Sequence, residues 1–148
     1  MNTRQSAAGE RRIPNALTIA GVDPSGGAGI LADVKAMSAL GAYGCAVIAA
    51  LTAQNTQGVT GISPVPPDFV GLQIDTLFTD VRIDAVKIGM LGQKPVIQVV
   101  AEKLAKWAPA HVVLDPVMVA KSGDLLLERE AVGLSLIHIS EPTRPERI

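Results

Sequence analysis

The stretch LTIAGVDPSGGAGILADVKAMSAL, residues 17–40, decides the fold class of this 148-residue chain. An apolar run of strand character, Ala16 to Gly21, leads through a glycine-rich turn into a helical stretch, Ile30 to Leu40. Gly41 follows, a residue that suits the left-handed cap of a helix. A strand, a glycine turn and a helix form the first unit of a sheet whose parallel strands are joined by helices. The sequence therefore predicts an α/β protein.

The same alternation continues along the chain. Further strands are predicted at 46–51, 85–88 and 111–114, and further helices at 68–78 and 96–107. The strands are apolar throughout instead of alternating, which is typical of a parallel sheet covered by helices on both faces. With right-handed crossovers, this pattern predicts a three-layer α/β/α fold with a parallel central sheet of about four strands.

Composition and charge exclude several classes of protein. The longest apolar run, Cys45 to Leu51, is far shorter than the roughly 18 residues of a membrane-spanning helix. A net charge of −1 and few aromatic residues provide neither a basic surface nor a stacking platform for nucleic acid. His111 and His138 have no acidic or cysteine partner at metal-like spacing, so no metal is assigned to them. We expect a soluble, cytoplasmic protein without nucleic-acid or membrane partners.

Both ends of the chain lack the strand and helix pattern. Residues 1–13 mix Ser, Gly, Arg and Glu without periodicity, which predicts a disordered leader. Residues 135–148, SLIHISEPTRPERI, change abruptly to a short apolar run followed by two prolines. They resemble the peptide obtained when a sequencing adapter is translated, and we interpret them as an artefact, with a genuine tail as the alternative. Residues 14–134 are then the domain.

The glycine motif GVDPSGGAG, residues 21–29, lets the backbone turn tightly and approach a ligand at a helix N-terminus. Residues 27–32 fit the dinucleotide pattern G-x-G-x-x-A, which requires an acidic residue about 20 positions later to hold the ribose. Ala53-Gln54-Asn55 stands there instead, and the pattern G-x-x-x-x-G-K-[ST] does not occur. These differences argue against a dinucleotide site and against a P-loop.

Residues 17–59 resemble the opening of hydroxymethylpyrimidine/phosphomethylpyrimidine kinases of the ribokinase-like superfamily. VKIGML (Val86 to Leu91) and VVLDPVMVAKSGD (Val112 to Asp124) match later motifs of that family in the expected order. The resemblance implies phosphorylation of 4-amino-5-hydroxymethyl-2-methylpyrimidine and its monophosphate in thiamine biosynthesis, with ATP and Mg²⁺, by an enzyme that is often a homodimer. A pyridoxal kinase of the same superfamily and a non-catalytic pyrimidine-binding module remain alternatives.

The resemblance also implies a substrate site. Asp33 and Gln54 would hydrogen-bond the aminopyrimidine, while Met90 and Val117 would contact it by packing and through the backbone. Asp115 would lie near the phosphates and the magnesium ion. Gln54, Met90 and Val117 each follow a different predicted strand, and open α/β sheets bind ligands at the carboxyl ends of their strands.

Each of these assignments has a structural alternative. Asp33 would complement the dipole of an early helical turn, and Met90 would be an ordinary core residue. Gln54 would be a loop amide, and Asp115 would initiate a turn before Pro116. No catalytic residue is assigned, because the glycine-threonine-glycine-cysteine motif that forms the family's anion hole does not occur in these residues. We therefore expect a truncated kinase chain without turnover of its own.

Overall fold

The computed structural model describes residues 12–115 of the chain. They form the elements β1 (Asn15–Val22), α1 (Gly29–Ala39), β2 (Tyr43–Gln54), β3 (Val59–Pro64), α2 (Pro67–Phe78), β4 (Ala85–Ile88), α3 (Lys94–Trp107) and β5 (His111–Leu114). One sheet holds the five strands in the order β3-β2-β1-β4-β5. β2, β1, β4 and β5 run parallel, and β3 runs antiparallel to β2. None of the three helices described is long and apolar enough to cross a bilayer.

The predicted alternation of strands and helices is confirmed in this part of the chain. β4 and β5 have the predicted bounds, and α1 is followed by Gly41 in the left-handed conformation, with a φ of +87°. The sequence pattern does not predict β3. Its residues VTGISP include Gly61 and Pro64, which disfavour strands, and its position at the edge of the sheet leaves it exposed.

Different helices cover the two faces of the sheet. Leu17 and Ile19 of β1 are completely buried in the core formed with α2 and α3. Thr18, between them, points to the opposite face, where its hydroxyl donates a hydrogen bond to Asp33 of α1. The core on the α2 and α3 side also includes Val47, Val70, Ile74, Val86, Ile88, Val96, Ile97 and Val100. Since burial of one such aliphatic side chain contributes about 1.5–3 kcal/mol, this core is the main source of stability.

A side chain pairs with the edge of β2 at a point that β3 does not reach. The Ile48 N–H donates to the amide oxygen of Gln73 in α2, and the amide nitrogen of Gln73 donates to the Ile48 carbonyl oxygen, both at 3.0 Å. β3 pairs with β2 only from Ala50 onward. Because a side-chain amide offers the same donor and acceptor as a peptide group, Gln73 takes the place of a neighbouring strand here.

A polar cluster around Asp75 joins α2 to α3. The Asp75 carboxylate accepts hydrogen bonds from the ammonium groups of Lys103 and Lys106, and from the indole N–H of Trp107 at 2.8 Å. The Trp107 ring stacks on Phe78, with the ring centroids 5.5 Å apart. The hydrogen bond from Lys103, followed by those from Trp107 and Lys106, holds the pKa of the Asp75 carboxyl far below its usual range.

Acidification should remove the stability that Asp75 contributes. Because its pKa is lower in the folded protein, the contribution is complete above the pKa of about 4 of an unfolded aspartate and is lost as the pH falls below it. Urea unfolding at about pH 7 and about pH 3 should therefore show a smaller acid-induced loss in Asp75→Asn than in the unchanged chain. Asp80→Asn, at an exposed carboxylate just after α2, is the control and should lose as much as the unchanged chain. An equal loss in both variants would contradict the prediction.

Candidate functional site

A cleft opens at the carboxyl ends of the central strands. Its lining comes from the end of β1 (20–23), the start of α1 and the residue before it (28–29), the end of β2 (Thr52, Gln54), and β4 with the residues after it (Lys87, Gly89, Met90). This strand-end cleft is open to bulk solvent. Small-molecule sites lie preferentially at this edge of open α/β sheets. The position of the cleft therefore suits a small organic ligand.

The glycine loop, residues 23–28, joins β1 to α1 and folds around the buried side chain of Asp23. The Asp23 carboxylate accepts hydrogen bonds from the Ser25 N–H at 2.8 Å, the Ser25 hydroxyl at 2.7 Å and the Gly27 N–H at 3.2 Å. The Gly26 N–H donates to the Asp23 carbonyl oxygen at 3.0 Å. Because these donors are bound within the loop, they are not free to hold a phosphate group.

The pKa of Asp23 fits this structural role. Burial raises the pKa of the carboxyl, but hydrogen bonds from Ser25, Gly27 and Ala28 together outweigh burial and hold the pKa below its ordinary value. Asp23 is therefore a carboxylate at neutral pH whose oxygens are already bound. A general base needs to reach a substrate proton with a free lone pair. Asp23 thus shapes the loop instead of accepting a proton.

Two glycines allow close approaches beside the cleft. Gly29 has a left-handed φ of +64°, and a Cβ built on it would lie 2.3 Å from the Gly21 carbonyl oxygen. A Cβ built on Gly21 would lie 2.4 Å from the terminal methyl of Met90. The first glycine thus lets the start of α1 sit against the end of β1, and the second leaves room for the Met90 side chain across that strand.

Two of the predicted substrate residues meet in the strand-end cleft. Gln54 is the last residue of β2 and is half-buried, and Met90 lies two residues beyond β4 and is 9% exposed. The Thr52 hydroxyl donates to the Val22 carbonyl oxygen at 2.7 Å and lies 3.2 Å from the Gln54 amide oxygen. Thr52 therefore ties the end of β2 to the end of β1 and lies beside the Gln54 side chain.

Asp33 is not among the residues that line the cleft. Its carboxylate accepts hydrogen bonds from the Thr18 hydroxyl at 2.6 Å and from the Lys87 ammonium at 2.9 and 3.1 Å. Asp115, directly after β5, has a side chain that is 60% exposed, with one carboxylate oxygen 3.7 Å from the Lys87 Nζ. Val117 lies outside the described residues. The ligand contacts that the resemblance implies for Asp33, Asp115 and Val117 remain predictions.

Two cleft residues, Lys87 and Thr52, are not predicted by the sequence pattern. Lys87 carries a usable signal, because a charged residue inside an apolar strand covered by helices is rarely buried unless it is paired. Thr52 carries no such signal, because β-branched residues are common in strands.

Comparison with known proteins assigns this chain to a family. The sequence profile of phosphomethylpyrimidine kinases matches residues 23–140. The chain belongs to the phosphomethylpyrimidine kinase family. The hydroxymethylpyrimidine/phosphomethylpyrimidine kinases of Escherichia coli (strain K12) and Salmonella typhimurium are 55% and 60% identical to it over 138 residues, 89% of the chain. The chain spans about half the length of these two relatives, 52% of each.

Solved structures of similar proteins have the same fold. A phosphomethylpyrimidine kinase from Clostridium difficile 630 matches with a TM-score of 0.80 and 45% identity, over 85% of this chain and 55% of that one. Pyridoxal kinase from Staphylococcus aureus, in complex with AMP-PCP, matches with a TM-score of 0.71 and 30% identity, over 86% and 45%. The ribokinase-like fold expected for this member of the phosphomethylpyrimidine kinase family is confirmed, and the pyridoxal kinase is the more distant of the two in sequence.

Proposed function

We propose that the protein to which this chain belongs phosphorylates 4-amino-5-hydroxymethyl-2-methylpyrimidine, and then its monophosphate, for thiamine biosynthesis. The observation that carries the proposal is the convergence of Gln54 and Met90 in the strand-end cleft. The names of the bacterial relatives include both substrates, and other relatives are named for thiamine biosynthesis. Because the chain spans about half of these relatives, we propose catalysis for the whole protein and pyrimidine binding for this cleft.

The cleft offers the groups that an aminopyrimidine requires. The ligand presents an amino group beside a ring nitrogen, which is a donor next to an acceptor. The single amide of Gln54 supplies the complementary acceptor and donor. Met90 presents a polarisable thioether to the ring. Val117 is proposed as a further packing contact, and Asp33 as a hydrogen-bond partner of the ring.

ATP and Mg²⁺ are the cofactors of the proposed reaction. Asp115 is exposed, and among residues 12–115 the nearest cation, Lys87, lies beyond hydrogen-bond distance of it. Its carboxylate oxygens are hard ligands of the type that Mg²⁺ prefers. When bound, Mg²⁺ and ATP supply the phosphoryl group and neutralise its charge. The glycine loop does not fit the triphosphate, because its N–H groups are bound to Asp23. We therefore propose that the triphosphate contacts lie elsewhere in the protein.

Replacing Gln54 with alanine should weaken pyrimidine binding by about 1–3 kcal/mol, because the polar groups of the ring would lose their partner inside the cleft. Calorimetric titration with hydroxymethylpyrimidine measures this change, and the thermal midpoint should hardly move. Gln57→Ala makes the same substitution at an exposed position of the turn after β2 and should leave the affinity unchanged. If Gln54→Ala also left the affinity unchanged, Gln54 would be an ordinary strand-end amide.

Kinase activity can be tested by supplying the remaining half of the enzyme. A chimera that joins residues 1–134 of this chain to the second half of the Salmonella typhimurium relative should phosphorylate hydroxymethylpyrimidine in the presence of ATP and Mg²⁺. Pyridoxal in the same assay tests the second candidate function, which the structural similarity to pyridoxal kinase supports. Turnover of pyridoxal without turnover of the pyrimidine would replace the proposed function.

A further inference from the structure

The Lys87 side chain reaches the strand-end cleft by passing over Gly89, which has no side chain to block it. It lies on β4 and points towards α1, and Gly89 lies on the same face two residues later. A Cβ built on Gly89 would lie 3.3 Å from the Lys87 Nζ, so the absence of a side chain there gives the ammonium space. The long side chain therefore extends towards the carboxyl end of the strand, where Lys87 lines the cleft.

The hydrogen bonds of Lys87 leave one donor unused. An ammonium group has three N–H donors. The two oxygens of Asp33 lie 2.9 and 3.1 Å from the Nζ, and the nearest oxygen of Asp115 lies 3.7 Å away, which is too far for a hydrogen bond. Within the part of the chain that the structure describes, no other acceptor is bound to this ammonium. The third N–H is therefore open to an acceptor atom of a ligand.

We propose that Lys87 donates this hydrogen bond to the exocyclic oxygen of the pyrimidine ligand, the atom that carries the hydroxyl or the phosphate. The inference rests on the proposed function. Gln54 complements the amino group with its adjacent ring nitrogen, and Met90 complements the face of the ring, so the second ring nitrogen and the substituent oxygen are the acceptors left unbound. Of these two, the oxygen becomes part of an anionic phosphate ester in the second substrate, and an anionic acceptor suits an ammonium donor better. A hydrogen bond from a charged donor is roughly twice as strong as one between neutral groups, which suits Lys87 to holding the reacting oxygen.

In this arrangement Asp33 and Thr18 are positioning residues. One Asp33 oxygen accepts from both Thr18 and Lys87, and the other accepts from Lys87. Three of the roughly four acceptor positions of the carboxylate are thus used within the protein, and in this proposal Asp33 acts on the ligand through the ammonium that it holds. This role competes directly with a hydrogen bond from Asp33 to the ring, and the two can be distinguished by experiment.

Two ligands isolate the contact: hydroxymethylpyrimidine and the analogue with a methyl group in place of the hydroxymethyl group. Calorimetry on Lys87→Met should show about a tenfold or greater loss of affinity for the alcohol and no loss for the methyl analogue. Gln54→Ala is the matched control, because it should weaken both ligands by the same factor. Equal losses for the two ligands in Lys87→Met would overturn the assignment of Lys87 to the oxygen.

Asp33→Asn tests the positioning role. Alone, this variant should lower the preference for the alcohol over the methyl analogue. In the Lys87→Met background it should have no further effect on either ligand, because its influence passes through the ammonium. A further loss for both ligands in that background would show that Asp33 contacts the ring itself and would overturn the positioning role.

A variant that is poorly folded does not prevent the test. Lys87→Met leaves the half-buried carboxylate of Asp33 without its cation, whereas Lys87→Met/Asp33→Asn removes both charges and provides the same comparison of ligands. In the unchanged chain, the NMR resonance of the Lys87 ammonium should shift with the alcohol and not with the methyl analogue. Equal shifts with both ligands would overturn the proposal. An unchanged chain that binds neither pyrimidine would instead overturn the proposed function, and the inference with it.

Discussion

Replacing Gly29 with alanine should lower the free energy of unfolding by about 2–5 kcal/mol, the sum of a left-handed backbone penalty and an overpacking penalty. Gly29 has a φ of +64°, and an added Cβ would lie 2.3 Å from the Gly21 carbonyl oxygen. That oxygen is a backbone atom of β1, which pairs with strands on both sides, so it cannot move without disturbing the sheet. Urea unfolding of the purified variant measures the loss.

Two other glycines separate the conformational part of this loss from the steric part. Gly41 and Gly92 have φ values of +87° and +86°, and a Cβ on either would meet no atom within 4 Å. Gly41→Ala and Gly92→Ala should therefore carry only the left-handed penalty of about 1–2 kcal/mol. If Gly29→Ala cost no more than these two variants, the close approach of α1 to β1 would not constrain the protein.

Removing the carboxylate of Asp23 should also destabilise the chain strongly. Asp23→Ala should lower the free energy of unfolding by about 2–4 kcal/mol, because hydrogen bonds to a charged group are lost together. The donors left behind belong to Ser25 and Gly27, and water can reach them in part because both residues are exposed. The glycine loop should then lose its fixed shape, which hydrogen exchange of its amides would show as faster exchange.

Two further variants serve as references for the stability loss of Asp23→Ala. Asp23→Asn keeps the oxygen that accepts from Ser25 but turns an amide group towards the Gly27 N–H, so it should lose less than the alanine variant. Asp80→Ala removes an exposed carboxylate and should change stability by less than about 0.5 kcal/mol. Equal stability of Asp23→Ala and Asp80→Ala would show that the loop holds its shape without its central acceptor.

The elements that the sequence predicts best are those in which local pattern and tertiary burial agree. β4 and β5 are short, mostly apolar runs, and their bounds are predicted to the residue. β2 extends beyond the prediction to Gln54, because its polar end pairs with β3, a partner that the pattern does not reveal. β3 itself has neither burial nor strong propensity, and only its hydrogen bonds to β2 identify it as a strand.

The candidate site follows the same division. The family resemblance implied Gln54 and Met90 as site residues, and their positions just beyond strands supported the assignment, because a parallel topology brings strand ends together. The bond between Lys87 and Asp33 joins residues 54 positions apart and depends on β4 lying next to β1, the strand that α1 packs against together with β2. No local pattern contains this information, so the partners of Asp33 become visible only in the folded chain.

Gln73 also limits how the sheet can associate with other molecules. A strand edge with free N–H and C=O groups is a template on which a strand of a second chain can add, which is one route to aggregation. At Ile48 both groups are already bound by the Gln73 side chain. A strand in that place would expose its own N–H and C=O groups on its outer side, whereas a side chain does not. An incoming strand would first have to break two hydrogen bonds at this position. One glutamine on a helix thus gives this stretch of β2 the protection that edge strands otherwise obtain from charged residues, bulges or a covering loop.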